Sequence, residues 1–310
     1  MKKVFIDGEA GTTGLRIRER LAARTDIELV TLPEALRKDA AARKTALNAA
    51  DIAFLCLPDA AAVEAVSMIE NPDTVVLDTS TAHRTDPRFV YGFPELAAEQ
   101  AAHIAASKRI AVPGCHASGF IAAVAPLVQH GLLAPDAALT CHSLTGYSGG
   151  GKKMIAAYGE ADRSPLYDAP RQYGLSQTHK HLPEMAAMCG LQSPPIFCPI
   201  VADFYSGMVV TVPLFAHQLT PGATAADVKA VLKAAYGGSI VRYVVTADAD
   251  GFLSAAALSG KDAMEVAVFG SETRILLTAR YDNLGKGASG AAVECMNLVL
   301  GVDPATGLNL

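Results

Sequence analysis

The stretch KVFIDGEAGTTG, residues 3–14, decides the fold of this chain. Residues 3–6 alternate as a buried strand does, a glycine-rich turn follows at once, and LRIRERLAAR after it is typical of a helix. Dinucleotide sites have this order of strand, glycine loop and helix. Glycines here permit a tight turn, let backbone N–H groups approach a pyrophosphate, and let the helix pack on the strand. We therefore expect these residues to bind the cofactor: Gly8, Gly11, Thr12, Thr13 and Gly14.

The same alternation continues through the first third of the chain. The pattern predicts strands at residues 27–32, 52–57 and 74–78, separated by helices at residues 36–47 and 60–69. Strands that alternate with helices form a parallel sheet with right-handed crossovers. The prediction is an α/β, Rossmann-type domain.

The end of the second predicted strand, VTLPEALRKD, bears on the choice of cofactor. NAD sites place a carboxylate there for the ribose 2′-hydroxyl, whereas a 2′-phosphate requires cations. Leu32 and Pro33 carry no carboxylate, and Arg37 and Lys38 follow. We predict that Arg37 and Lys38 bind NADP(H), although Glu34 keeps NAD open and the two cations equally fit a solvated helix face.

Two further strands end in polar sequences, LCLPDAAA at residues 55–62 and LDTSTAHR at residues 77–84. Ligands of open α/β sheets bind at the carboxyl ends of the strands. We expect Pro58 and Ser80 to line the cofactor site there. Arg84 offers a planar fork for a phosphate or carboxylate, or forms a surface ion pair.

The sequence VPGCHASGF, residues 112–120, places a cysteine at a turn from strand to helix. Residues 109–112 are β-like, and residues 120–128 predict a buried helix closed by Gly131, with Pro126 inside it. Unpaired N–H groups at a helix start favour negative charge, which biases Cys115 toward the thiolate. Cys115 is thus a candidate nucleophile, the alternative being a small buried hydrophobe.

Two later segments add candidate site residues. SGGGKK, residues 148–153, is either a mobile linker or a loop whose N–H groups and lysine bind an anionic substrate, with Ser148 and Lys152 as contacts. THKHLPE, residues 178–184, carries His179 and His181, which suit general acid–base catalysis beside a cysteine. The alternatives are metal binding or surface polarity, but zinc spacing is absent. We expect most other histidines, His116 included, to be structural or exposed.

The remaining sequence predicts an α+β substrate domain with a largely antiparallel sheet. Predicted strands lie at residues 138–144, 207–215, 239–245, 265–269 and 274–281, with a helix at residues 225–236. A loop at residues 282–290 and a helix at residues 291–300 close the chain. We predict a nucleotide domain of residues 1–114 completed by residues 284–310, and a catalytic domain of residues 115–283.

Composition limits the class of protein. A chain of 310 residues that is 51% hydrophobic is long enough for two cores. Six cysteines without a CxxC pair indicate thiols in a reducing compartment, and no long uncharged apolar run or signal pattern is present, so we expect a cytoplasmic protein without a membrane contact. A net charge of −5 without a basic block argues against nucleic acid and favours small-molecule partners.

Taken together, these motifs resemble the N-acetyl-γ-glutamyl-phosphate reductases, relatives of aspartate-semialdehyde dehydrogenase in the aldehyde dehydrogenase group. The resemblance runs almost from end to end and rests on GEAGTTG, LDTSTAHR with YGFPEL, PGC, SGGGKK, THKHLPE and DNLGKGASG. The family usually has Tyr and Arg where this chain has His116 and Lys180, and the compact loops resemble its shorter subtype.

The resemblance implies a fold, an activity and roles for residues. It implies NADP(H), a homodimer or homotetramer, and reduction of an acyl phosphate through a thioester on Cys115. It places the acid/base within the pair His179 and His181, Arg84 at the anionic end of the substrate, and Asn283 near the nicotinamide. No metal is implied.

Three alternatives stay open at this point. Aspartyl or aminoadipyl phosphate would use the same cysteine and cofactor. An NADP-binding redox sensor would use the fold without turnover, leaving the HKH segment without a purpose. An acyltransferase would use the cysteine and histidine but would not need the glycine loop.

Overall fold

The computed structural model describes all 310 residues, which divide into two compact units. The first unit comprises Met1–Gly114 and Ala288–Leu308, and the second comprises Cys115–Gly287 and Asn309–Leu310. The structure contains no disulfide bond. None of its helices combines the length and the apolar character needed to cross a membrane.

A six-stranded sheet forms the centre of the first unit, and all its strands run parallel in the order β2-β1-β3-β4-β6-β5. The strands are β1 (Lys2–Asp7), β2 (Ile27–Val30), β3 (Ile52–Leu55), β4 (Val75–Asp78), β5 (Val90–Tyr91) and β6 (Arg109–Ala111). The helices are α1 (Thr12–Leu21), α2 (Ala40–Ala49), α3 (Asp59–Met68), α4 (Gln100–Ala106) and, from the end of the chain, α9 (Gly290–Leu300). The predicted Rossmann-type sheet is confirmed.

Both faces of this sheet are buried, which explains why β3 is apolar throughout and β4 is apolar up to Asp78. Val4 and Ile6 of β1 point into a core shared with α1, α4 and α9. Phe5 points to the opposite face, where the core includes Leu47 of α2 and Ala65 of α3. The two-residue period of a strand thus places successive side chains of β1 on opposite faces of the sheet.

The second unit is built on a mixed sheet of seven strands in the order β11-β12-β13-β10-β7-β9-β8. Its strands are β7 (Thr140–Gly146), β8 (Arg171–Gln172), β9 (Ile196–Ala202), β10 (Met208–Phe215), β11 (Val241–Tyr243), β12 (Met264–Gly270) and β13 (Arg274–Tyr281). Its helices are α5 (Cys115–Gln129), α6 (Gly151–Gly159), α7 (Leu182–Cys189) and α8 (Ala225–Ala235). Four of the six strand pairs are antiparallel, as predicted.

Helices cover only one face of the second sheet. Val210 and Val212 of β10 and Leu277 of β13 are fully buried on the side of α5 and α8. The opposite face, which we call the open face, carries Phe215 at 55% exposure and Leu276 at 40%. Exposed apolar side chains on a sheet face are a feature of association surfaces.

The helix that carries Cys115 differs from its prediction, because it starts at Cys115 itself rather than near Phe120. Pro126 lies inside it without ending it. A proline removes the hydrogen bond to the carbonyl four residues earlier, here that of Ala122. The hydroxyl of Tyr236 donates to this carbonyl at 2.8 Å instead, so the carbonyl stays satisfied.

Other differences arise where local signals were weak. The second predicted helix begins only at Ala40, because Asp39 caps it by accepting the Ala42 N–H at 2.7 Å. Strand β9 was not predicted because it contains Pro199, a residue that argues against a central strand. Helices α4 and α7 were not predicted because they are short. The predicted loop at residues 282–290 contains a π-helix, Gly285–Ser289.

Candidate active site

The glycine loop of the first unit makes a turn that side chains would block. Gly8 has φ of +87°, and a Cβ there would lie 2.3 Å from the carbonyl oxygen of Cys56. The Gly11 N–H donates to the Gly8 carbonyl at 2.9 Å, and a Cβ on Gly14 would lie 2.6 Å from the same oxygen. The turn leaves Thr12 and Thr13 at the start of α1, where backbone N–H groups bind anions.

A pocket of about 480 Å³ lies beside this loop and reaches the end of β2. Arg37 and Lys38 line it, together with Glu9 and Glu34. The Arg37 Nη2 contacts the Glu9 carboxylate at 2.8 Å, while the Arg37 Nε is buried without a hydrogen-bond partner. An unsatisfied guanidinium N–H beside a lysine fits a phosphate group, so these residues suit a 2′-phosphorylated dinucleotide.

A buried ion pair lies next to the glycine loop. The Asp7 carboxylate, at the end of β1, accepts hydrogen bonds from Arg43 of α2 at 2.9 to 3.2 Å, and both side chains are buried. Arg43 thereby neutralises a carboxylate that would otherwise repel a pyrophosphate at the neighbouring turn.

The turn after β4 is held by its own polar side chains. The Ser80 hydroxyl donates to Asp78 at 2.7 Å, and the ring of His83 contacts the same carboxylate at 2.5 Å. Arg84 is 8% exposed, and its guanidinium donates to the carbonyls of Val112 at 2.9 Å and Thr79 at 3.0 Å. Pro58 caps α3 and is exposed. These contacts fix Ser80 and Arg84 in place within the first unit.

In the second unit, Cys115 begins α5 and is partly exposed. The Tyr281 hydroxyl donates to the Cys115 carbonyl and accepts the Gly119 N–H at 2.9 Å, so β13 holds the first turn of the helix. A Cβ on Gly287 would lie 3.1 Å from the Cβ of Cys115. A thiol at a helix start, kept accessible by a glycine, has the environment of a nucleophile.

Three histidines meet beside this helix start. The ring centroids of His116, His179 and His181 lie 4.8 to 5.8 Å apart, and Phe197 packs against two of the rings. The structure therefore joins the predicted pair to His116. His116 carried no functional assignment in the sequence, although its place next to Cys115 was a signal.

The electrostatics of these rings favour the neutral form. Burial, and then the charge of His179, lowers the pKa of His116 to about 3. Burial and the neighbouring Lys180 also lower the pKa of His179. The Nδ1 of His179 accepts the backbone N–H of His181 at 3.2 Å, so neutral His179 carries its proton on Nε2.

The loop at residues 148–153 is ordered by contacts within the second unit. The Asn283 amide donates to the Ser148 hydroxyl at 2.9 Å, and its oxygen accepts the Gly207 N–H at 2.9 Å. Ser148 and Asn283 are 1% and 2% exposed, whereas Lys152 is exposed in the first turn of α6. The segment is thus a short 3₁₀ turn followed by a helix.

Several residues of these sites carry no sequence signal of their own. The Ser143 and Tyr173 hydroxyls lie 2.6 Å and 2.7 Å from the ring nitrogens of His116, yet neither residue belongs to a motif. In the sequence, Arg43 cannot be told from a solvent-exposed cation of its helix. The structure brings no group of three or more His, Cys, Asp or Glu side chains together as a metal site.

Family models match both parts of the chain. The NAD binding domain of semialdehyde dehydrogenases matches residues 33–104, and the semialdehyde dehydrogenase dimerisation domain matches residues 115–283. Among similar sequences, the N-acetyl-gamma-glutamyl-phosphate reductase of Sinorhizobium fredii is 46% identical, covering 96% of this chain and 98% of its own. That of Burkholderia cenocepacia is 47% identical, covering 97% and 98%.

Solved structures agree on the fold. Aspartate semialdehyde dehydrogenase II of Vibrio cholerae aligns with a TM-score of 0.71 at 16% identity, covering 97% of this chain and 98% of its own. Aspartate semialdehyde dehydrogenase of Francisella tularensis aligns with a TM-score of 0.72 at 14% identity, covering 97% and 100%. At such identities the likeness shows a shared fold alone.

Proposed function

Since this chain belongs to the N-acetyl-gamma-glutamyl-phosphate reductase family of semialdehyde dehydrogenases, we propose that it reduces N-acetyl-L-glutamyl 5-phosphate through Cys115. The products are N-acetyl-L-glutamate 5-semialdehyde and phosphate, in arginine biosynthesis. The observation that carries the proposal is a cysteine at a helix start, beside three histidines, in a chain 46% identical to such reductases over almost its full length.

The chemistry divides a difficult reduction into two steps. The Cys115 thiolate attacks the acyl carbon, the bond from that carbon to the phosphate oxygen breaks, and phosphate leaves from a thioester. The nicotinamide cofactor of the first unit supplies the hydride when bound. After reduction, the former carbonyl carbon is bonded to an alkoxide oxygen and to the Cys115 sulfur. The bond from carbon to sulfur then breaks, which releases the aldehyde and regenerates the thiolate.

His179 is suited to donate a hydrogen bond to the oxygen of the reacting carbonyl. Its Nδ1 is occupied by the His181 N–H, so a neutral ring offers an Nε2–H donor. The backbone N–H groups at the start of α5 are further donors for the developing negative charge. We propose that His179 gives its Nε2 proton to this oxygen as the carbon is reduced and takes it back as the bond from carbon to sulfur breaks, with His181, which is 4% exposed, as its support.

We propose that the cofactor is NADP(H), and the pocket beside Arg37 supports this. The buried Arg37 Nε needs an acceptor that a 2′-phosphate supplies, and Lys38 adds a second cation. The glycine loop, with Thr12 and Thr13, suits the pyrophosphate. Pro58 and Ser80, at the carboxyl edge of the same sheet, complete the cofactor residues of the first unit.

The cofactor proposal predicts a selective loss. Arg37→Ala should raise the Kd for NADPH about tenfold or more and change the Kd for NADH little, since one charge-assisted hydrogen bond is lost. Fluorescence titration of both cofactors measures this. Arg88→Ala, which removes an exposed arginine of the same unit, is the control. An equal loss for both cofactors would assign Arg37 to the fold rather than to the phosphate.

Four further residues have proposed roles toward substrate or nicotinamide. Arg84 and the exposed Lys152 supply positive charge for the anionic groups of the substrate. The Ser148 oxygen accepts from Asn283, which leaves the Ser148 O–H as a donor for the substrate. One amide N–H of Asn283 is committed to Ser148, and the other is assigned to the nicotinamide carboxamide.

We propose that the second unit forms a homodimer, or a pair of dimers, through the open face. Its match to a dimerisation domain supports this, as do the exposed Phe215 and Leu276 of neighbouring strands. An apolar sheet face of this kind associates by burying its side chains against a second copy. We place the protein in the cytoplasm, where its thiols stay reduced.

A single-turnover experiment tests the function. Enzyme mixed with the acyl phosphate, without cofactor, should release one phosphate per site and retain a thioester at Cys115, detected by mass. Cys115→Ala should do neither and still bind NADPH. Cys198→Ala, which removes a half-buried thiol of β9, is the matched control and should behave as wild type. Undiminished steady-state reduction by Cys115→Ala would overturn the mechanism.

Substrate length is tested in the reverse direction. With NADP and inorganic phosphate, the semialdehyde of N-acetylglutamate should turn over with the highest kcat/KM. Preference for the aspartyl or aminoadipyl semialdehyde would transfer the activity to that substrate while leaving the role of Cys115 intact.

A further inference from the structure

The hydroxyl of Tyr281 bridges two backbone groups in the first turn of α5. It donates to the carbonyl of Cys115 and accepts the N–H of Gly119 at 2.9 Å. These two groups lie four residues apart, so in an α-helix they are also partners for each other. A side chain of β13 thus acts directly on the backbone that carries the thiol.

This bridge depends on burial and on space. Tyr281 is fully buried, and burial raises the pKa of its hydroxyl well above the ordinary value, so the hydroxyl keeps its proton and stays a donor. Gly119 leaves room for the hydroxyl, since a Cβ there would lie 2.6 Å from the Tyr281 oxygen and 2.7 Å from the Val210 Cγ2. The glycine on α5 is therefore matched to the tyrosine on β13.

A second residue of the segment that follows β13 contacts Cys115 itself. A Cβ on Gly287 would lie 3.1 Å from the Cβ of Cys115, 3.4 Å from its Cα, and 3.1 Å from the carbonyl oxygen of Asp282. The φ of Gly287 is not positive, so backbone conformation does not require a glycine here. The close contacts do, because the bare backbone lies directly against the residue that carries the thiol.

Asp282 braces the segment between these two contacts. Its carbonyl accepts the Gly287 N–H at 3.0 Å, and its carboxylate accepts the Leu284 N–H at 2.7 Å and the Ser206 hydroxyl at 2.8 Å. Asp282 is 2% exposed, so water does not compete for these hydrogen bonds. The segment is thus tied to itself and to the residues before β10, which makes it a fixed support for the start of α5.

We propose that Tyr281 and Gly287 are positioning residues for Cys115. Tyr281 fixes the backbone of the nucleophile, and Gly287 limits where its Cα and Cβ can lie. The inference rests on the proposed role of Cys115 as nucleophile. Since a misplacement of about 1 Å can cost about a hundredfold in rate, a displaced Cys115 should slow the chemical step more than it weakens substrate binding.

Removal of the Tyr281 hydroxyl has a matched control on the same helix. Tyr281→Phe deletes a donor to a carbonyl at the start of α5, and Tyr236→Phe deletes a donor to the Ala122 carbonyl in its middle. Both tyrosines are buried, so a general loss of stability should affect both variants. With the semialdehyde, NADP and inorganic phosphate, only Tyr281→Phe should lower kcat about tenfold, while KM changes less than about twofold.

Gly287→Ala tests the contact with Cys115 from the other side. The added methyl group has to displace Cys115 or its own loop, because 3.1 Å is shorter than the optimal carbon–carbon separation of about 3.5–4.0 Å. We expect kcat to fall about tenfold, again with little change in KM. Gly237→Ala is the control, since no atom lies within 4 Å of its Cβ position and its φ is not positive either.

Alkylation of Cys115 examines the thiol without substrate. Full-length enzyme reacts with iodoacetamide at pH 7, and the Cys115 peptide is followed by mass spectrometry. In Tyr281→Phe the Cys115 carbonyl loses a donor that polarises its peptide unit at the helix start, so the thiolate is less favoured and the reaction should be about threefold slower. Gly287→Ala crowds the thiol and should also react more slowly than Gly237→Ala.

The outcomes separate this inference from the proposed function. If folded Tyr281→Phe and Gly287→Ala match their controls in kcat and alkylation while Cys115→Ala is inactive, the positioning role is overturned and the nucleophile stands. An equal fall of kcat in Tyr236→Phe would also overturn it, since general stability would then explain the loss. If Cys115→Ala stays active, the proposed nucleophile is wrong, and the alkylation rates alone decide whether the two residues position the thiol.

Discussion

Single residues of this chain are constrained by what they touch rather than by their type alone. Gly8 is required because a carbonyl oxygen occupies the space of a side chain, whereas Gly131 also has a positive φ, of +70°, but has no atom within 4 Å of its Cβ position. His116 is neutral because its side chain is buried, and burial disfavours the charged form of the ring. Position, not composition, decides the cost of each substitution.

The glycine comparison gives the first prediction. Gly8→Ala should lower the free energy of unfolding by about 2–5 kcal/mol, because it adds a steric overlap to an unfavourable φ. Gly131→Ala should cost only about 1–2 kcal/mol, the cost of a left-handed backbone. Urea denaturation of both variants measures the difference. Equal losses would show that the loop around Gly8 relaxes.

His116 predicts a loss of stability in acid. Its pKa is about 3 in the folded protein, against an ordinary value of 6.5 in the unfolded chain. Between these values the unfolded state binds a proton that the folded state does not, so stability falls as the pH falls from 6.5 toward 3. At pH 5 this loss amounts to about 2 kcal/mol.

The matched variant is His116→Gln, whose amide does not titrate. The difference in unfolding free energy between pH 7 and pH 5 should be smaller for His116→Gln than for wild type. His179, whose pKa is also lowered, remains in both proteins and contributes equally. Identical pH dependence in the two proteins would place the acid sensitivity elsewhere.

At the scale of elements, buried polar contacts join segments that hydrophobic packing alone would leave adjustable. Asp7 and Arg43 tie β1 to α2, and Tyr281 ties β13 to the first turn of α5. Tyr236 ties the end of α8 to the middle of α5, at the carbonyl that Pro126 leaves unpaired. The first two contacts fix a helix against a strand, and the third fixes one helix against another.

Breaking the ion pair between Asp7 of β1 and Arg43 of α2 should cost much of the free energy of unfolding. Arg43→Leu should lower the free energy of unfolding by about 3–5 kcal/mol, because the buried Asp7 carboxylate loses its partner. Lys44 lies on the same helix as Arg43 and forms an exposed ion pair with Glu70. Lys44→Leu should therefore cost only about 0–1 kcal/mol. Chemical denaturation of the two variants measures both changes in the free energy of unfolding. Similar small losses would mean that water reaches Asp7.

At the scale of the whole molecule, the glycine loop and the candidate nucleophile belong to different units. The parallel sheet of the first unit is covered on both faces, and a pocket lies beside its glycine loop. The mixed sheet of the second unit holds the cysteine and histidines on its helical side and leaves its other face open. The open face carries none of the proposed catalytic residues, so it is available for the proposed association.

The proposed assembly through the open face gives the last prediction. Leu276→Glu should lower the mass measured by sedimentation from that of the assembly to that of one chain, because a charge buried at an apolar interface is strongly unfavourable. Leu166→Glu introduces the same change at a residue that is 74% exposed outside the sheet, and should leave the mass unchanged. Persistence of the assembly in Leu276→Glu would move the interface to another surface.

Several parts of this protein follow from local sequence pattern alone. The strand, loop and helix around Gly8 followed from glycine spacing and alternation, and the parallel sheet followed from the repetition of that unit. Cys115 could be singled out because a proline–glycine turn before a helix is visible within a few residues. Such features are encoded by neighbours in the chain.

Only the tertiary structure decided which distant residues meet. Ser143 and Tyr173 lie 27 and 57 residues from His116, and no local pattern connects them. The pairing of Glu9 with Arg37 and the cap of Tyr236 on α5 likewise exist only after elements pack. The physical reason is that hydrogen bonds between distant segments form once the burial of apolar faces has brought those segments together, so their partners are chosen by packing geometry rather than by spacing in the chain.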